Sequence, residues 1–146
     1  NYPDIKLIII GEGPEKNKLE KLSNDIGLED NIKFINFLDN HDDVYSIMKS
    51  SKVFALPSSR EGFGIVVVES NACGLPVVTV DSKNNASQYL IENGVNGLVC
   101  SLSEDSLANS IKDLLSNRKN PEDYVKYSQK YNWPDVISKI ETVYNL

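Results

Sequence analysis

Short runs of β-branched and other apolar residues recur along this chain, and each gives way to a stretch whose apolar positions fall three or four residues apart. Residues 4–10 hold Ile5, Leu7, Ile8, Ile9 and Ile10, and Gly11 with Gly13 and Pro14 ends the run sharply. That composition predicts a buried strand. Residues 15–26 change period: Leu19, Leu22 and Ile26 fall at helical spacing, charged side chains take the other face, and Gly27 is a natural stop. The alternation continues with strands over 31–37, 52–56, 76–80 and 97–100, and with helices over 42–50 and 87–92. Leu107, Ile111, Leu114 and Leu115 repeat on one helical face behind Ser103, a residue suited to the N-cap. Pro121 and Pro134 each fit the first turn of a further helix. Strand and helix in this order predict an α/β fold, a doubly wound parallel sheet with helices on both faces and extra helices at the carboxy end.

Length and charge narrow the function before any motif is considered. With 146 residues, 40% of them hydrophobic, the chain is sized for a single domain over residues 1–146. Its 15 Lys and Arg against 21 Asp and Glu leave a net charge of −6, which opposes the broad phosphate-tracking surface of a nucleic-acid binder. The longest apolar runs, 7–10 and 65–68, fall far short of the ~20 residues that span a bilayer, so any membrane association is expected to be peripheral. Cys73 and Cys100 form no CxxC pair and neither neighbours His41, which removes zinc and thioredoxin-like spacings and makes a cytoplasmic location with reduced thiols the expectation. The chain opens on Asn1-Tyr2-Pro3, without a Met or a leader pattern, and is expected to be truncated at its amino end.

In a doubly wound sheet ligands bind outside the carboxyl ends of the strands, which points to the loops 11–14, 38–43, 57–64 and 81–87. The third of these, Ser58-Ser59-Arg60-Glu61-Gly62-Phe63-Gly64, carries two glycines that let its backbone approach a ligand and offer amides to an anion such as a diphosphate. A helix starting near Gly64 would add its positive end. A bare tight turn fits the same glycines.

Residues 65–73 are open to two readings. Ile65-Val66-Val67-Val68 favours a strand by propensity, whereas the interval up to Gly74-Leu75-Pro76 has the length of a helix. The choice decides whether Glu61 and Glu69 can serve one ligand. Eight residues of strand set their backbones ~26 Å apart, and a mostly helical interval reduces this to ~12 Å. The shorter distance suits a nucleotide-sugar, whose ribose diol and hexose hydroxyls both donate well to a carboxylate. Two unrelated surface carboxylates fit the spacing as well.

The ordered series Leu7-Ile8-Ile9-Ile10-Gly11-Glu12-Gly13-Pro14, Phe54-Ala55-Leu56-Pro57-Ser58, Glu61-Gly62-Phe63-Gly64, Glu69, Ala72-Cys73-Gly74-Leu75-Pro76-Val77-Val78 and Asn96-Gly97-Leu98-Val99 resembles the carboxy-terminal half of the retaining glycosyltransferases of family 4. The resemblance runs from Pro3 to about Tyr144. It implies the Rossmann-like carboxy-terminal domain of a GT-B enzyme, with residues 65–73 helical and a nucleotide-diphosphate-sugar as the bound donor. Glu61 would be the catalytic-site carboxylate, contacting hydroxyls of the transferred sugar. Amides of Gly62, Phe63, Gly64 and Ile65 would line the sugar and phosphates, Glu69 would hold the ribose, and the backbone near Phe37 and Leu38 would meet the base. Gly11, Gly13 and Ser58 complete the implied donor-binding set. A retaining transfer by front-face departure of the diphosphate is implied, resting on charge stabilisation. No cofactor and no metal are implied, and no D-x-D motif occurs. The acceptor is expected on a missing amino-terminal domain. One loop departs from the family pattern: where Gly-Gly and a following Glu are frequent, Asn84-Asn85-Ala86-Ser87-Gln88 stands. Two alternatives share the sequence features, a sugar-nucleotide 2-epimerase and a non-catalytic nucleotide-binding or scaffold domain.

Other features weigh less. Gly11-Glu12-Gly13 begins a dinucleotide fingerprint, but Lys16 occupies the third glycine position, which argues against a nicotinamide enzyme. His41, among Asp39, Asp42 and Asp43, reads as a solvated loop residue or helix cap. Arg60 fits either a phosphate contact or an exposed loop. Cys73 and Cys100 read as small core residues, and Tyr124, Tyr127, Tyr131, Trp133 and Tyr144 as an aromatic tail held by packing.

Overall fold

The computed structural model describes residues 4–144, so Pro3, where the resemblance begins, and the outer ends of the expected domain lie outside the described residues. The chain divides into two compact units, Asn1–Val44 and Tyr45–Leu146. In the first, strand β1 (Leu7–Ile10) pairs in parallel with β2 (Ile32–Ile35), Leu7 opposite Ile32 and Ile10 opposite Ile35, and helix α1 (Lys16–Asp25) connects them. Gly11 extends the ladder by one bond, its N–H donating to Ile35 O at 2.9 Å. Gly27, at φ +69°, turns the chain out of α1 as the sequence predicts.

The expectation of a buried strand over 4–10 needs correction. Ile5, Leu7 and Ile8 are 40%, 45% and 40% exposed, and the strand itself begins only at Leu7. Burial of both strand faces requires a layer on each. The sheet here has two strands, and the apolar residues of α1, Leu19 and Leu22, and Ile26 just beyond its end are themselves exposed.

Helix α2 (His41–Ser50) runs across the division between the units, and the second unit continues with β3 (Phe54–Leu56), β4 (Arg60–Glu61), α3 (Ile65–Ala72), β5 (Val77–Asp81), β6 (Asn84–Asn85), a 3-10 turn (Ala86–Leu90) and β7 (Gly97–Ser101). After β7 come α4 (Glu104–Ser116), α5 (Pro121–Ser128), a second 3-10 turn (Gln129–Tyr131) and α6 (Trp133–Tyr144). The main sheet has the order β3-β5-β7, parallel throughout, with Phe54 opposite Val77 and Val77 opposite Gly97. The period-two pleat of β5 sorts its side chains. Val78 and Val80 join Cys100 and Leu114, with Leu107 and Ile111 of α4 packed against them, whereas Val77 joins Val67 of α3 and Leu90 on the other face. Helices therefore cover both faces, and the α/β, Rossmann-like expectation holds, including the extra carboxy-terminal helices.

The predicted cap at Ser103 forms, and a second one stands at Asn120, ahead of the predicted first-turn proline. The Ser103 side chain accepts from Ser106 N at the start of α4, and Asn120 accepts from Glu122 N at the start of α5, with Pro121 in the first turn. Two buried amides tie α3 to the main sheet. Asn71 Nδ2 donates to Leu75 O (2.8 Å) and Asn96 O (3.1 Å), while Asn96 Nδ2 donates to Asn71 Oδ1 (2.8 Å) and Leu90 O (2.9 Å). Every polar atom of this pair is satisfied, because Asn96 Oδ1 also accepts from Glu92 N at 2.8 Å.

The aromatic tail divides. Tyr124 is buried, but Trp133 and Tyr144 are 75% and 84% exposed, against the expectation of packing. Helix α6 makes its main contact with the 3-10 turn before it, which leaves Trp133, Ile137, Ile140, Val143 and Tyr144 exposed. Cys100 sits in the core as expected, whereas Cys73 is only half-buried, at the end of α3.

A Cβ built on Gly97 would lie 2.1 Å from the carbonyl oxygen of Val77, so this position admits no side chain without separating β5 from β7. Gly97→Ala is expected to cost about 2 kcal/mol or more, whereas Gly13→Ala, with open space around it, should stay within about 0.5 kcal/mol of the parent. The shift in chemical-denaturation midpoint checks both.

Candidate functional site

The site-bearing turn is built between two strand ends. After Leu56 the chain passes Pro57 and the half-buried Ser58 into β4, which pairs in parallel with β6, Arg60 opposite Asn84 and Glu61 opposite Asn85. This small sheet joins loops 57–64 and 81–87, and nothing in the hydrophobic pattern of either loop foretells it. A further tie runs from Ser82 Oγ to Ser59 O at 2.7 Å. Glu61 is half-buried, and its Oε1 accepts from the N–H of Gly62 at 2.9 Å. Gly62 and Phe63 are exposed, so the turn is open to solvent on this side.

Gly64 then adopts φ +85°, ψ +48° as the N-cap of α3. A Cβ here would sit 2.5 Å from Ser87 Cβ, so both the left-handed backbone and the close approach require glycine. No side chain caps this end of α3; the Val67 N–H closes back on Gly64 O at 2.9 Å, and the amides of Ile65 and Val66 stand ahead of the first intrahelical bond. Their dipoles favour an anion in front of the turn.

Residues 65–72 are helical, which decides between the two readings of this segment in favour of the one that the resemblance implies. The helix cost of a β-branched residue is a few tenths of a kcal/mol. Full burial of one valine side chain stabilises by about 1.5–3 kcal/mol, and Val67 is fully buried against Val77 and Leu90. Packing outweighs propensity. Glu69 consequently lies about 6 Å along the helix axis from Ile65, instead of a strand's length away.

Glu69 is half-buried, and the hydroxyl of Tyr45 on α2 donates to its Oε1 at 3.0 Å. Sequence reasoning missed Tyr45. It lies between Val44 and Ile47 on the apolar face of α2, where an aromatic reads as packing. Burial pushes the Cys73 thiol up from its ordinary value, with Lys49 pulling it down and Glu69 adding a smaller upward push.

Ser58, Glu61, Gly62, Phe63, Gly64, Ile65 and Glu69 are thus brought together on one loop and the helix it enters. Gly11, Gly13 and Leu38 belong to the first unit. There Gly11 ends β1 at φ +135°, Gly13 O accepts from Lys16 N at 3.2 Å, and Leu38 is half-buried beyond β2. Arg60 is exposed, and His41 is the exposed first residue of α2. Among the described residues no group of three or more His, Cys, Asp or Glu is placed to hold a metal ion, and no helix is long and apolar enough to cross a membrane.

Residues 1–131 match the family model of the glycosyl transferases group 1. The chain belongs to that family. Among curated members, an uncharacterised glycosyltransferase of Haemophilus influenzae is 37% identical over 131 residues, covering 88% of this chain and 35% of that protein. The chain spans about a third of the length of such relatives. Of solved structures, Anabaena HepE in complex with UDP-glucose matches 99% of this chain and 42% of its own, at TM-score 0.79 and 28% identity. Sucrose-phosphate synthase from Thermosynechococcus elongatus matches 96% of this chain and 38% of its own, at TM-score 0.82 and 24% identity. This group 1 chain is a glycosyltransferase domain of the GT-B type.

The environment of Cys73 offers a check on the placement of Glu69 that needs no ligand. The thiolate is the reactive form, so a raised pKa slows alkylation at a given pH. Cys73 should react with iodoacetamide more slowly than a free thiol at pH 8. Glu69→Gln removes an upward push and should speed the reaction, whereas Lys49→Ala should slow it, both read by mass spectrometry of the modified peptide.

Proposed function

We propose that residues 1–146 form a single donor-binding domain of a retaining glycosyltransferase of family 4, holding a nucleotide-diphosphate-sugar whose hexosyl group passes to an acceptor bound by another domain of the full-length protein. The observation that carries this reading is the helical state of Ile65–Ala72 directly after a left-handed glycine. It sets Glu69 one helical turn beyond an amide-lined loop that begins at Glu61.

Each group then has a chemical task. A carboxylate accepts strongly from vicinal hydroxyls, so Glu69 takes the ribose diol and Glu61 takes hydroxyls of the transferred sugar. The amides from Gly62 to Ile65 line the sugar and the phosphates, that of Gly62 beside the Glu61 carboxylate it bonds, and the negative charge of the diphosphate grows as it departs. Fixed dipoles aimed at that charge stabilise the transition state more than the ground state. The diphosphate leaves from the face on which the acceptor enters, and its departing oxygen takes the acceptor proton, which retains the anomeric configuration. Glu61 acts as a site carboxylate and forms no covalent bond. Ser58, at the start of the same loop, completes the donor-binding set of the second unit. The named relatives support the reading: HepE is solved with UDP-glucose, and a human relative 29% identical over 150 residues is an N-acetylglucosaminyltransferase subunit. Two cysteines outside any disulfide agree with a cytoplasmic place of work.

Calorimetric titration of the full-length protein with UDP, GDP, ADP and their sugars tests the proposal. One nucleotide series should bind, and Glu69→Ala should weaken it by roughly 1–3 kcal/mol. Glu61→Gln should weaken the nucleotide-sugar and spare the bare nucleoside diphosphate. No heat with any compound, with the fold intact, would overturn the reading, and interconversion of a nucleotide-sugar without an acceptor would assign an epimerase instead.

A further inference from the structure

The loop that departs from the family pattern contains a buried polar cluster placed directly beneath the site-bearing turn. Asn85, Thr79 and Ser87 are 1%, 0% and 0% exposed. Asn85 Nδ2 donates to Val80 O at 2.7 Å and to Thr79 Oγ1 at 3.0 Å, while its Oδ1 accepts from Ser87 N at 3.1 Å and from Ser87 Oγ at 2.6 Å. A carbonyl only accepts and an amide N–H only donates, so both ends of the Asn85 side chain have a fixed orientation. Thr79 Oγ1 in turn donates to Leu56 O at 3.0 Å, the last residue before the Pro57 turn. With the Thr79 hydrogen on Leu56 and the Ser87 hydrogen on Asn85, the 3.0 Å approach of the two hydroxyl oxygens has no hydrogen of its own. Asn85 holds it by bonding both.

Each member of the cluster bears on a different part of the turn. Asn85 is the backbone partner of Glu61 across the β4-β6 pair. Ser87 Cβ stands so close to Gly64 that a methyl there would lie 2.5 Å from it, and the same methyl would lie 3.4 Å from Glu61 Cγ. Thr79 holds the strand end from which the turn departs. Gln88 closes the loop behind them, its Nε2 donating to Ser82 O and Asn85 O at 2.8 Å each. A loop without glycines cannot bring its backbone as close to a diphosphate as a Gly-Gly pair does. What this one supplies is a rigid floor.

We propose that Asn85, working through Thr79 and Ser87, is a positioning residue that fixes the Glu61 carboxylate and the left-handed start of α3 against the sugar end of the donor. The placement of the sugar rests on the function proposed above, whereas the support of the turn does not. Asn85 touches no reacting atom. Its contribution is the pre-organisation of groups that do, which is where small displacements are most costly.

Two isosteric variants of the full-length protein separate this from general stability. Asn85→Asp keeps the acceptor for Ser87 and removes both donated bonds. Thr79→Val removes the tie to Leu56 and the acceptor for Asn85 Nδ2 while leaving Ser87 and Gly64 unsubstituted, and is the milder change should Asn85→Asp fail to fold. In the folded variants, amide hydrogen exchange over residues 60–64 should quicken about tenfold, the equivalent of one hydrogen bond, with β7 and α4 unchanged. The preference for UDP-glucose over UDP, or for the sugar-nucleotide pair that the wild type binds, should fall by a similar factor while affinity for the bare nucleotide stays within about twofold. Uniform quickening across the sheet, unchanged exchange at 60–64, or equal losses of nucleotide and nucleotide-sugar affinity would each overturn the proposal. A wild type that binds no nucleotide would overturn the proposed function instead, and the exchange measurement would still decide whether Asn85 supports the turn.

Discussion

Strand β5 is the element on which the second unit depends. It is hydrogen-bonded on both edges, to β3 and β7, and Val77 to Val80 are almost wholly withdrawn from solvent. Because its pleat alternates, one strand serves two layers at once: Val78 and Val80 face the α4 side, Val77 faces the α3 side. Thr79 falls on the α3 side too, near the carboxyl end, where its hydroxyl meets Ser87 and the end of β3. The same periodicity that seals the core therefore delivers a polar group to the place where a parallel sheet presents its ligand loops.

The turn between β4 and α3 inherits its shape from that arrangement. Gly64 is left-handed because the chain must reverse into a helix beside Ser87 with no room for a methyl group. The helix forms in spite of its β-branched composition because Val67 packs into the apolar layer over β5. Once it forms, Glu69 comes within reach of Tyr45, and the carboxylate gains a hydrogen bond that a strand would have denied it. Local conformation, burial and site geometry are here one chain of consequences.

Much of this was legible beforehand, and unevenly so. Alternating apolar runs located β1, β2, β3, β5 and β7, and side-chain chemistry located the cap at Ser103, the first-turn Pro121 and the stop at Gly27, because these signals act within a few residues. Propensity alone left residues 65–73 undecided, and a helix there was only what the resemblance of the ordered motifs implied. The β4-β6 pair was not legible, since two polar residues on each side carry no periodicity. Tyr45 was not, because its partner lies 24 residues away. The exposed Leu7, Ile8, Trp133 and Tyr144 show the limit of reading hydrophobicity as burial. Apolar character states what a residue gains when covered, and says nothing of whether a cover is present.

The sequence by itself determined the alternation of strand and helix, the glycines at which the backbone must turn or strands must approach, and the two acidic residues eight positions apart. These are local properties, set by backbone sterics and by the period of apolar side chains. Only the tertiary structure decided that residues 65–72 coil instead of extend, that Tyr45 bonds Glu69, and that Asn85 underpins the turn at Glu61. Those outcomes depend on which surfaces become buried together. Burial is a property of the assembled layers, and it exceeds the small conformational preferences that a sequence expresses residue by residue.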